Sequence, residues 1–160
     1  MNIEFLLPWG AKKGTWTRAF KHSPLAEMVE EYRQRMDHFV KTDLVVGESL
    51  DGLLNRPADK KSPAIHWVCD LPRNRAAKVL SSEDLAIRLQ EVLNRSSSNL
   101  RIFIGGPDGW SADDLQKIKP QVTWSFGPMT LTHEMAALIA TEQMYRAFTI
   151  LKGLPYHQGH

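Results

Sequence analysis

Hydrophobic residues gather along this chain into short runs and into helical stripes, and the two kinds take turns. The runs at Asn2 to Leu7, Val40 to Val46, Ala64 to Cys69, Arg101 to Ile104 and Val122 to Phe126 have the length and the β-branched and aromatic content of buried strands. Between them, Leu25, Met28, Val29, Tyr32, Met36 and Phe39 recur at helical spacing behind Ser23 and Pro24, which predicts a helix from about Leu25 to Phe39. A second helix starts near Ser82 and carries Leu85, Leu89 and Leu93. A third, short one begins at the cap Ser111, with Asp114 three residues on, and stops at Pro120. The last runs from Met135 to Leu151 behind the cap Thr132. Leu50 to Ser62, with Gly52, Pro57 and a charged run, reads as a short loop with one helical turn, and Ser96 to Asn99 as a polar turn. The order β, α, β, loop, β, α, β, α, β, α predicts a parallel α/β sheet flanked by helices, in a single domain over residues 1–160.

The last third concentrates the candidate chemistry. The strand at Arg101 to Ile104 exits into Gly105, Gly106, Pro107, Asp108 and Gly109, a loop with few side chains that another molecule can approach closely. An ordinary tight turn explains the same residues equally well. The spacing is not the G-x-G-x-x-G of a dinucleotide site, and no Gly-Lys-Ser/Thr follows, so it is not a phosphate-binding P-loop. A second loop, Gly127, Pro128, Met129, Thr130 and Leu131, follows the next strand. Two loops that each leave a strand of a parallel sheet lie at its carboxyl edge, where α/β proteins bind small molecules.

The final helix carries Met135, Leu138, Ile139, Met144, Tyr145, Phe148, Ile150 and Leu151, a belt wider than one core-facing stripe needs. A second subunit accounts for the excess, and burial against the chain's own sheet and loops is the alternative. Glu142 and Arg146, four apart, read as a surface ion pair.

Composition narrows the class. With 42% hydrophobic and 24% charged residues, the chain is neither disordered as a whole nor a membrane protein. Met1 to Trp9 shows no charged leader and no cleavage signal, so a cytoplasmic location is expected. A lone Cys69 agrees with a reducing compartment. Six scattered histidines and that single cysteine signal no metal site. The formal charge of +2 does not by itself suggest nucleic acid. Small basic groups at Lys12 and Lys13, at Lys60 and Lys61, and at Arg73, Arg75 and Lys78 are placed where they can reach phosphates, or are simply solvated.

The sequence IGGPDG, then TWSFGPMTLTH, then a helix with EQMYRAF and a terminal LPYH, resembles the SPOUT superfamily of knotted methyltransferases, and within it the RlmH type. That type consists of bacterial 23S rRNA pseudouridine N3-methyltransferases. The resemblance is good from about Ala64 to His157 and looser before that. It implies a C-terminal trefoil knot, S-adenosyl-L-methionine as cofactor, a homodimer whose two subunits complete the site, and 23S rRNA in the ribosome as substrate. It places the cofactor against Cys69, Gly105 and the segment Phe126, Gly127, Pro128, Met129, Thr130 and Leu131. It places Tyr156 and His157 on the substrate side, as candidates to remove the N3 proton or to pack and contact phosphate. His133, beside the second loop, reads as a capping or packing residue.

Four departures from the family pattern stand out: Cys69 where a leucine is usual, a longer loop over Arg73 to Leu80, a trimmed segment at Leu50 to Ser62, and Gln158 where a basic residue usually follows Tyr-His. They keep two alternatives open, a SPOUT methyltransferase with another RNA target and a catalytically weak, cofactor-binding ribosome-associated factor.

Overall fold

A computed structural model describes residues 1–10, 16–57, 63–70, 77–95, 99–106 and 108–158. Pro107, the basic residues Lys12, Lys13, Lys60, Lys61, Arg73 and Arg75, and the turn residues Ser96 to Ser98 lie outside the described residues. Six strands form one sheet: β1 (Asn2–Leu7), β2 (Lys41–Val46), β3 (Ala64–Cys69), β4 (Lys78–Val79), β5 (Asn99–Ile104) and β6 (Val122–Ser125), in the order β2-β1-β5-β3-β6-β4. Every pairing is parallel. Five helices, α1 (Ser23–Asp37), α2 (Leu50–Leu54), α3 (Ser82–Leu93), α4 (Ala112–Ile118) and α5 (His133–Leu151), and a 3-10 turn at Trp16–Ala19 complete the description.

Period-two alternation assigns each strand residue to a face. Ile3, Phe5 and Leu7 of β1, Ile65, Trp67 and Cys69 of β3, and Leu100, Ile102 and Ile104 of β5 face α1, α3 and α5 in the larger core. Leu6, Val68 and Phe103 point the other way, toward Leu53 of α2, Trp110 in the loop after β5, and Ile118 of α4. Strands covered on both faces read as continuous apolar runs, which is why β5 was legible as a buried strand. Its one charge, Arg101, is buried and compensated: it donates to Glu4 on neighbouring β1 at 3.2 Å and to the Pro57 carbonyl at 3.0 Å. Paired this way, it escapes the cost of an isolated buried ion.

The helix starts follow the caps. Ser81 and Ser111 each form a reciprocal capping box, with Asp84 and Asp114, and Thr132 accepts from the Met135 N–H. The start of α1 has no side-chain cap of its own. Its His22 N–H donates to buried Glu134 in the first turn of α5, joining the two helices where they begin.

Much of the broad belt on α5 is used inside the chain. Met144 and Phe148 are buried, and Leu138, Tyr145, Ile150 and Leu151 are half-buried against the same core. Phe39 stacks on Phe148, with ring centres 5.4 Å apart. Met135 on α5 and Met28 on α1 remain exposed. The two-residue strand β4, at the sheet edge beyond β6, was not expected from the sequence. Among the described residues, no helix is long and apolar enough to cross a membrane.

Candidate active site

At the carboxyl edge, β3 lies between β5 and β6, so the segments leaving these three strands converge. They enclose a recess of about 570 Å³, counting the solvent at its mouth. Cys69 and Asp70 contribute from β3, Ile104, Gly105, Gly106 and Gly109 from the first glycine loop, and Phe126, Gly127, Met129, Thr130 and Leu131 from the second. His133 and Ala136, in the first turn of α5, close the remaining side. Of the residues expected at a cofactor, Cys69, Gly105, Phe126, Gly127, Met129, Thr130 and Leu131 all line it. Pro128 does not; it is exposed to solvent.

The first loop is fixed from beneath by Trp110. Its indole Nε1 donates to the Cys69 carbonyl at 2.9 Å, a buried bond that ties the loop to the end of β3. A Cβ on Gly105 would meet that indole at 3.2 Å and the Gly109 Cα at 3.4 Å. Gly105 is therefore a glycine because the protein's own tryptophan occupies the space, whereas the sequence suggested space kept for a ligand. Gly106 is different: a Cβ there would meet nothing within 4 Å. The same holds for Gly127, whose φ of 108° is also strained for any residue with a side chain. These two glycines leave open room in the wall of the recess.

The second loop is held by Ser125, a fully buried residue whose hydroxyl accepts from the Gly127 N–H at 3.2 Å and donates to the Gly127 carbonyl at 3.3 Å. Just beyond it Met129 is 68% exposed, a large apolar side chain with little protein cover beside the recess. The Asp70 N–H donates to the Trp124 carbonyl at 2.9 Å, extending the contact of β3 and β6 to the edge of the site.

Cys69, Asp70 and His133 are the titratable groups among the described residues that border the recess. Burial of the Cys69 thiol, reinforced by the neighbouring Asp70 charge, pushes its pKa well up, so it stays a neutral packing group and not a nucleophile. Burial lowers His133, whose ring packs edge-on against Trp9 at 4.7 Å, and it stands neutral at the recess wall. No group of three or more potential metal ligands occurs among the described residues.

Tyr156 and His157 do not line the recess. They fold back on the far part of α5. The Tyr156 hydroxyl donates to Glu142 at 2.9 Å and lies 3.3 Å from the Tyr32 hydroxyl. Its ring packs edge-on against Tyr145 and under the Arg146 guanidinium, 4.9 Å from the ring centre. Burial, then the hydrogen bonds with Tyr32 and Glu142, push its pKa far above the ordinary tyrosine value. Tyr156 thus keeps its proton at neutral pH, as a hydrogen-bond donor to Glu142 and not a base. His157 is held through both ring nitrogens, by Arg146 at 3.2 Å and by Glu83 of α3 at 2.8 Å. Ala136 at the recess and Arg146 at the tail are ten residues apart on one helix, roughly 15 Å along its axis.

This arrangement corrects the reading of Glu142 and Arg146 as a surface pair. Their side chains are only 18% and 16% exposed, the bond is 2.7 Å, and the tail covers them. The i, i+4 spacing signalled the pair, but not its burial by a segment ten residues further on.

Comparison with known proteins agrees with the geometry. A family model described as "Predicted SPOUT methyltransferase" matches residues 16–157. A protein of Koribacter versatilis named "Ribosomal RNA large subunit methyltransferase H" is 36% identical over 148 residues, covering 91% of this chain and 96% of that protein. Proteins of the same name from Coprothermobacter proteolyticus and Xylella fastidiosa are 32% identical over 138 residues and 33% identical over 163. The first alignment covers 86% of this chain and 92% of the relative, the second 96% of each.

Proposed function

The chain belongs to the SPOUT methyltransferase family, and from that premise we propose that it methylates N3 of a pseudouridine in 23S rRNA of the large ribosomal subunit, in the cytoplasm, with S-adenosyl-L-methionine as donor. The observation that carries the reading is the recess itself: two strand-exit glycine loops with open room at Gly106 and Gly127, in a chain aligned almost end to end with large-subunit rRNA methyltransferases.

The residues of the recess fit the donor. Apolar Phe126, Met129 and Leu131 offer cover for an adenine, and backbone groups of the second loop offer hydrogen bonds to it. When bound, S-adenosyl-L-methionine supplies an electrophilic methyl group on sulfur. The protein's task is to hold the accepting nitrogen in line with that methyl and to assist departure of the N3 proton. Gly106 and Gly127 allow close approach, Trp110 and Ser125 keep the loops in place, and neutral His133 lets the wall take up the ligand without adding a charge.

The tail reaches the site through a second copy in this reading. Tyr156 and His157 stand apart from the recess of their own chain, so a homodimer, with the family's knotted C-terminal threading, brings one protomer's tail to its partner's recess. Exposed Met28 and Met135 lie on the two helices joined at His22 and Glu134, which supports an interface there.

Labelled S-adenosyl-L-methionine and large subunits lacking the modification test the function. Methyl label on a single 23S rRNA pseudouridine is the expected result. Label found only on other RNA supports the alternative of a different RNA target, and label on no RNA ends the enzymatic reading.

A further inference from the structure

The tail histidine is gripped by two partners of opposite kind, and their chemistry fixes where its proton sits. Arg146 Nη1 lies 3.2 Å from His157 Nδ1. A guanidinium has donors and no acceptor, so Nδ1 must present its lone pair and carry no proton. The other nitrogen, Nε2, lies 2.8 Å from Glu83 Oε1. A carboxylate accepts, so Nε2 carries the proton and donates it. We infer that Glu83 is a positioning residue of the tail: with Arg146 it holds His157 as the neutral Nε2–H tautomer and anchors Tyr156–His157 to the start of α3.

The surroundings agree with this tautomer. The charged and titratable groups facing His157 are Arg146 and Glu142 from α5, Glu83 from α3 and Tyr156 from the tail itself. Arg146 is already bound through its Nε and Nη2 to Glu142, so it is aimed and cannot turn its Nη1 away without breaking that pair. Protonating Nδ1 would set an N–H against an N–H at hydrogen-bond distance. The bond to His157 also lowers the carboxyl of Glu83, so the acceptor stays ionised. Glu83 sits beside Ser82, whose hydroxyl donates to Gln143 of α5 at 2.6 Å, so the start of α3 is itself tied to the helix that carries Arg146.

With both ring nitrogens engaged, docked His157 has no free lone pair with which to take a proton from a substrate. Its part in the docked tail is to orient, and removal of the N3 proton falls to another group or to His157 after release from this contact. That consequence for catalysis rests on the tail belonging to the substrate site; the tautomer and its dependence on Glu83 do not.

Long-range proton–nitrogen NMR of the histidine rings, with His157 assigned through His157→Gln, tests the inference on the full chain at neutral pH. The parent should show His157 with its proton on Nε2. Glu83→Gln, whose amide oxygen still accepts, should keep that spectrum, and Glu83→Ala, which removes the anchor on α3, should let the ring leave Arg146 and shift it toward mixed tautomers. In single-turnover methyl transfer, Glu83→Ala should be slower by about tenfold, and Glu83→Gln should retain the parent rate. A parent His157 that is doubly protonated or carries its proton on Nδ1 overturns the inference, as does a Glu83→Ala spectrum identical to the parent's. If the tautomer depends on Glu83 while no RNA is methylated, the positioning stands and the methyltransferase reading falls.

Discussion

Trp110 reaches under the first glycine loop and donates its indole proton to the carbonyl of Cys69, 41 residues earlier, across 2.9 Å. The bond joins the loop after β5 to the last residue of β3, two of the three segments that shape the recess. Trp110→Phe keeps an aromatic ring, smaller than the indole, and leaves that carbonyl without its buried donor, a loss that costs about 1 to 3 kcal/mol. Thermal or urea unfolding should show the loss. An unchanged midpoint would mean that the carbonyl finds another partner and that the loop does not depend on the tryptophan.

The two neighbouring glycines should behave differently. Gly106→Val places its methyls in open space at the recess wall, so S-adenosyl-L-methionine affinity should fall with stability nearly intact. Gly105→Val instead drives a branched side chain at the Trp110 indole, and overpacking of this kind costs about 1 to 3 kcal/mol. Calorimetry for affinity and denaturation for stability, run on both variants, separate the two effects. Equal losses of affinity without destabilisation in both would show that Gly105 too faces the ligand.

His133 gives the recess a pH dependence of predictable sign. Burial lowers its folded value below the ordinary one near 6.5. Below that pH the unfolded chain takes up the proton first, so stability is complete above about 6.5 and declines as the pH falls toward the folded value. The part of the acid sensitivity in this window should disappear in His133→Gln, as read from melting temperature against pH. A parent and variant with parallel profiles would remove His133 as the source.

Tyr156 predicts the opposite end of the scale. Its proton is held more tightly in the folded chain, so its contribution is complete below the ordinary tyrosine value near 10 and is lost as the pH rises past it. A phenolate absorbance titration of the chain's three tyrosines should show one late component, and Tyr156→Phe should abolish it. If Tyr156→Phe removes an early component instead, the hydroxyl is not buried in the contact with Glu142 and Tyr32.

Gln158 is exposed next to the docked His157. Gln158→Arg adds one cation at that point, so binding to large-subunit rRNA should tighten and its salt dependence steepen by about one ion. S-adenosyl-L-methionine affinity should not move. Measuring RNA affinity at several salt concentrations decides it, and an unaltered slope would take the tail out of the RNA contact.

How far the sequence could be read depended on whether a residue's role was local. The buried strands were legible from their apolar runs, and Ser111 and Thr132 announced the helices they cap, because a cap and its target are three residues apart. Strand β4 was not: its two residues are exposed, Val79 at 65%, so no buried period marks them. The two glycine loops were legible as neighbours at the carboxyl edge of the sheet, yet which glycine leaves room in the recess wall depends on Trp110, and the indole's partner on distant Cys69. Glu142 and Arg146 were visible as a pair, while Glu83 carried no signal, because its contact with His157 spans 74 residues.

The strand order has a consequence for how the molecule is made. β5 lies between β1 and β3, both of which precede it, and β3 has no neighbour in the sheet until β5 or β6 arrives. As the nascent chain leaves the ribosome, β1 and β2 can pair early, but the apolar β3 must wait until residue 104 of 160 has emerged. Such deferred pairing is slow and leaves sticky surface in the open, where chaperones act. Because the first glycine loop continues directly from β5, no partly synthesised chain that stops short of it holds even a rudimentary recess.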